Sequence, residues 1–167
     1  MTPVLTREEL LTVRAHVERA YPREGCGFVL REPSEVLDCR NVQGWRRWLL
    51  GPFARPATEA FVIHPRDVLA MERRRRQGAT LHAIYHSHPD ARADFSTADV
   101  RGALRLGQPV HPGVAHVVVA VRHGRADVVK AFRWSPSVRK FVLAGALSFR
   151  EAGWVQPRAL PMVEAQA

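Results

Sequence analysis

Apolar residues recur at two periods along this chain, and the switching between them lays out its elements. Leu10, Val13, Val17 and Ala20 fall on one face at helical spacing. Thr6 precedes them, with Glu9 three residues later, a pairing that satisfies two donors at a helix start. A helix to about Ala20, stopped by Pro22, follows. GCGFVLR (Gly25 to Arg31) and EVLDCRN (Glu35 to Asn41) read as a strand pair turning through Pro33 and Ser34. EAFVI (Glu59 to Ile63) reads as another strand. Pro65 suits the first position of a second helix running to about Gln77.

The second half continues the pattern. TLHAIYHS (Thr80 to Ser87) is a β-branched and aromatic strand halted by Pro89, and Ser96 opens a third helix ending near Gly107. AHVVVAV (Ala115 to Val121) and ADVVKAFRW (Ala126 to Trp134) flank His123-Gly124-Arg125 as a hairpin, and VRKFVLA (Val138 to Ala144) adds a last strand. One domain over 1–143, with a poorly patterned and partly disordered tail over 144–167, is the expected organisation. Strands mixed with helices, partly hairpin-linked, predict an α/β fold with a mixed β-sheet flanked by about three helices.

Composition changes this picture little. At 167 residues and 46% hydrophobic, the chain is long and apolar enough for a real core. The start, MTPVLTREELL, turns charged before an apolar run develops, and no stretch approaches the roughly 20 apolar residues that cross a bilayer. A soluble cytoplasmic protein is expected. Cys26 and Cys39 match no zinc-finger spacing and read as small buried hydrophobes. The net charge of +9 invites a nucleic-acid partner, yet Lys130 and Lys140 are the only lysines among 25 basic residues. Such an Arg bias, with abundant Ala, Val and Pro, is what a GC-rich coding sequence produces. The densest run, Arg73 to Arg76, closes a predicted helix, where cations suit the dipole.

Candidate chemistry concentrates in YHSHPDARADFSTAD, from Tyr85 to Asp99. His86 and His88 lie two apart on a predicted strand, so their imidazoles share a face and can converge on one metal ion. His82 falls on the same face by period but about 13 Å away, which makes it structural. Ser96-Thr97-Ala98-Asp99, taken alone, is a helix-capping tetrad. Beside the two histidines, Asp99 becomes a third, anionic ligand, leaving a fourth position for water, the pattern of a catalytic site. Such a site needs a proton acceptor from elsewhere in the chain. Glu24, at a strand mouth between Arg23 and Gly25, is the best candidate.

Together these residues resemble the signature of the JAMM (MPN+) metalloprotease family. Its pattern is a distant glutamate, then His-Ser/Thr-His-Pro, six residues, Ser, two residues and Asp. Here the residues are His86-Ser87-His88-Pro89, Ser96 and Asp99, with Glu24 in EGCGF upstream. The resemblance covers about Leu5 to Phe141. It implies an MPN, cytidine-deaminase-like fold and a zinc isopeptidase acting after the C-terminal tail of a ubiquitin-like or sulfur-carrier protein. By position, His86, His88 and Asp99 would bind one Zn²⁺, Glu24 would be general base and then acid, and Ser96 would hydrogen-bond the oxyanion. The long segment from Gly44 to Thr58 departs from a minimal member. Its Trp45, Trp48, Leu49, Leu50 and Phe53 form either a core-covering flap or a surface for substrate or dimer, with Trp45 and Trp48 the candidate substrate contacts. Two other readings stand beside the enzyme: a non-catalytic MPN-type assembly module, and a nucleic-acid-associated protein suggested by the charge.

Overall fold

A computed structural model describes residues 4–44 and 56–149. The candidate contacts Trp45 and Trp48, with Leu49, Leu50 and Phe53, lie outside the described residues. Helix α1 (Arg7–Ala20) starts at the Thr6–Glu9 capping box expected from sequence, with both reciprocal bonds present. Strands β1 (Cys26–Arg31) and β2 (Glu35–Cys39) follow, then α2 (Pro65–Arg76), β3 (Thr80–Pro89) and α3 (Thr97–Ala103). A two-residue pair, β4 (Leu104–Arg105) and β5 (Gln108–Pro109), precedes β6 (Ala115–Arg122), β7 (Arg125–Ser135) and β8 (Lys140–Ser148).

Six strands form one mixed sheet in the order β2-β1-β3-β6-β7-β8. Only β3 and β6 run parallel; the remaining neighbours are antiparallel. The sheet divides two apolar layers. Leu10, Val13 and Val17 of α1 pack on Val29, Tyr85, Val117, Val119 and Val129. On the opposite face Met71 of α2 packs with Phe28, Leu30, Cys39 and Ile84. Covered on both faces, β6 is buried from Ala115 to Val121, which is why its sequence is a continuous apolar run rather than an alternation.

Four local expectations are corrected. Glu59–Ile63 is not a strand: it carries one isolated bridge, Asn41 to Ile63, because the Asn41 side chain takes over much of its hydrogen bonding. The third helix ends at Ala103, not near Gly107, since Leu106 and Gly107 both take positive φ and turn the chain into β4–β5. The last strand runs to Ser148, past Ala144, because β7 offers it partners as far as Val128. His82 does not share the face of His86. Val29 pairs with Ala83 but Leu30 with Leu81, so His82 is the extra residue of a β-bulge. Leu81 thereby stays with Ile84, while His82 donates from Nε2 to the Val4 carbonyl at 2.7 Å. Its structural role is as expected.

Cys26 and Cys39 are buried, unbridged cross-strand partners. Arg74 and Arg75 of the basic run bind Glu35 and Glu72. Among the described residues no helix is long and apolar enough to cross a membrane.

Candidate metal centre

Strand β3 delivers His86 and His88 to one face, with their Nε2 atoms 3.1 Å apart. Helix α3 delivers Asp99, whose Oδ1 lies 3.3 Å from His86 Nε2 and whose Oδ2 lies 3.4 Å from His88 Nε2. The three ligand atoms lie within 4.8 Å of one another. A tetrahedral ion held at 2.0–2.1 Å has ligand–ligand edges of roughly 3.3–3.4 Å. The two imidazole nitrogens and the Asp99 carboxylate thus gather around a space on the scale of a single zinc-sized ion.

The helix cap and the ligand are one device. Ser96 is the N-cap of α3, its Oγ accepting from Asp99 N at 3.2 Å, while Asp99 Oδ2 accepts from Ser96 N at 2.8 Å. The capping box aims the carboxylate, and Asp99 still faces both imidazoles. His88 Nδ1 donates to the Arg92 carbonyl at 2.9 Å, which fixes the tautomer and turns the Nε2 lone pair toward Asp99. His86 is held by packing instead, stacked on Phe61 with centroids 4.6 Å apart. Its Nδ1 is buried and has no hydrogen-bond partner among the described residues.

The charges follow from these contacts. Burial pulls His86 below the usual imidazole range, despite Asp99, which favours the neutral ring. Burial acts on His88 too, but bonds to Asp99 and the Arg92 carbonyl, with the charges of Asp99 and Glu24, outweigh it and raise that group. Burial would raise Asp99, yet its two histidine partners hold it well below the carboxylate range. Asp99 is an anion at any physiological pH.

Glu24 reaches the same site through sheet register. Cys26 pairs with His86, and Gly25 and Ser87 bond twice: Ser87 N to the Gly25 carbonyl and Gly25 N to Ser87 Oγ, both 2.9 Å. Glu24 precedes this pair by one residue, and its charge acts on His88. Its backbone is clamped as well, the N–H donating to Ala57 O at 2.8 Å and the carbonyl accepting from Asn41 Nδ2 at 3.0 Å. Glu24 is buried, 4% exposed.

Two features went beyond the sequence reading, in which Asn41 figured only as fitting the family's usual order of segments. Asn41 Nδ2 lies within hydrogen-bonding distance of the Glu24, Ala57 and Ala60 carbonyls, and its Oδ1 accepts from Gln43 N and Val62 N. It is the only asparagine in the chain, at the entrance to a turn-rich loop, and that singularity was the available signal. The second is a cavity of about 440 Å³ between α2, α3 and the sheet, with His86 and Asp99 in its wall. Asp90 and Asp94, the other aspartates of the motif stretch, are structural: Asp90 accepts from Tyr21 and His123, and Asp94 pairs with Lys130 and Arg92.

Residues 6–135 match the family described as prokaryotic homologs of the JAB domain. The chain belongs to that family. The fold agrees with two solution structures. A JAB-like chain of this length superposes on a protein from Salinibacter ruber with TM-score 0.54 and 27% identity, over 83% of this chain and 86% of that one. A protein from Desulfitobacterium hafniense gives TM-score 0.55 at 21% identity with the same coverage, a likeness of fold alone. A third similarity is to the tail tip assembly protein K of Escherichia phage N15, 36% identical over 89 residues. That match takes in 52% of this chain and 30% of the phage protein, so the matched segment spans under a third of that relative.

Proposed function

We propose that this JAB domain is a zinc metallopeptidase that hydrolyses the peptide or isopeptide bond after the C-terminal tail of a ubiquitin-like or sulfur-carrier protein. The observation that supports the reading is the convergence of His86, His88 and Asp99, with the charge of Glu24 acting on His88. One zinc ion per chain suits two imidazole nitrogens and one carboxylate, and when bound it lowers the pKa of its water to about 7. Glu24 accepts the proton and returns it to the leaving amine. Ser96 Oγ accepts from Asp99 N, which leaves the hydroxyl proton to donate to the developing oxyanion. Cys26 and Cys39, unbridged though directly paired, suit a reducing compartment, so the proposed location is the cytoplasm.

The similarity to a tail tip assembly protein supports a second reading, a JAB module that contributes to assembly without catalysis. One variant separates the two. The purified protein is expected to hold one zinc by elemental analysis and to cleave carrier fusions, with products identified by mass spectrometry. Glu24→Gln is expected to keep the zinc and lose activity by about 10²–10⁴-fold. Full activity in that variant removes Glu24 from the mechanism, and a zinc-loaded wild type that cleaves no fusion leaves the assembly reading standing.

A further inference from the structure

We propose that the cavity beside His86 and Asp99 is a specificity pocket for a large, uncharged apolar side chain on a substrate residue flanking the scissile bond. The inference rests on the peptidase reading and names what that site selects. Its first support is continuity: His86, Ala98 and Asp99 form part of the cavity wall, so an occupant sits directly against the metal-binding triad. The second is size, about 440 Å³, within the roughly 300–1,000 Å³ of ligand pockets. The third is lining, with Phe28, Phe61, Ile63, Met71, Ile84 and Phe95 making the interior apolar.

Charge narrows the occupant further. In a chain of net charge +9, no Lys or Arg lines this cavity among the described residues, while Glu59, Glu72 and Asp99 do. These carboxylates disfavour an anionic side chain, and the apolar lining suits an uncharged one. The mouth is open: Val68 and Val110, 36% and 47% exposed, stand in the lining. On the α3 side Gly102 leaves room, since a Cβ built there meets nothing within 4 Å.

The test uses the zinc-loaded full chain and carrier-tail peptides in which each residue flanking the bond is varied through Gly, Ala, Leu, Phe, Glu and Lys. At one of the two positions, kcat/KM is expected to be at least about tenfold higher for Leu or Phe than for Gly, and lowest for Glu. Gly102→Leu, which fills the cavity from α3, is expected to shift the preference to Gly or Ala with zinc content unchanged, and Gly102→Ala to fall between. Calorimetric binding of the same peptides to zinc-loaded Glu24→Gln separates the pocket from the chemistry. Leu-selective binding with no wild-type turnover sinks the peptidase and keeps the pocket. Turnover with no preference, a preference for Gly or Glu at both positions, or an unchanged profile in Gly102→Leu overturns the pocket. Neither binding nor turnover overturns both.

Discussion

Asn41 contributes more to the site than its size suggests. One side chain ties the carbonyl behind Glu24 to the Ala57–Val62 segment that carries Phe61, the ring stacked on His86. Alanine there removes these bonds and strands several part-buried backbone groups, each costing on the order of 1–3 kcal/mol when left unpaired. Asn41→Ala is expected to destabilise the fold by about 2–4 kcal/mol in urea denaturation, with the slope unchanged. It should also lower kcat, because Glu24 loses a clamp. At the same scale, the His86–His88 pair and the Ser96–Asp99 cap were legible in the sequence because each depends on spacing of two or three residues along one element. The bonding role of Asn41 was not, since its partners lie up to 21 positions away.

At the scale of elements, the face a strand presents is decided by its pairing. Period two placed His86 and His88 together correctly, but the bulge at His82 shows that the same rule fails when a partner strand skips a residue. Close approach between β1, β2 and β3 is set by Gly27: a Cβ there would lie 2.2 Å from the Leu37 carbonyl oxygen and 2.5 Å from Tyr85 Oη. That tyrosine is fully buried on the α1 face, bonded to His16 at 2.8 Å and to Asp38 at 3.1 Å. Gly27→Ala is expected to cost at least about 1–3 kcal/mol, read as a lower thermal midpoint. Adding Tyr85→Phe should recover little of it, because the Leu37 carbonyl is backbone and cannot step aside. Helix α3 carries the same lesson: its start, a side-chain cap, was readable, whereas its end depends on a two-residue turn at Leu106 and Gly107.

For the whole molecule, buried histidines make stability depend on acid. His116, 8% exposed between Phe95 and Phe141, is lowered by burial to about 4. Its folded value lies below the unfolded 6.5, so the unfolded chain binds the proton more readily between those limits. Stability is therefore complete above pH 6.5 and lost as pH falls toward 4, by roughly 3 kcal/mol from this group. Burial lowers His16, His82 and His86 in the same direction. Metal-free protein followed by denaturation from pH 7 to 4 should show this slope, and His116→Phe should flatten it; an equal slope in the variant removes His116 as its source.

The sequence by itself determined the helical and strand periods, the capping boxes at Thr6 and Ser96, and the identity and spacing of His86, His88 and Asp99. Each is a local matter, governed by backbone geometry within a few residues. Only the tertiary structure brought Glu24 near enough for its charge to act on His88, turned His82 to the far face, knotted the Glu59–Ile63 segment around Asn41, and opened the apolar cavity behind the triad. Register and packing volume arise between elements distant in sequence, where strand pairing and side-chain volumes must be satisfied together.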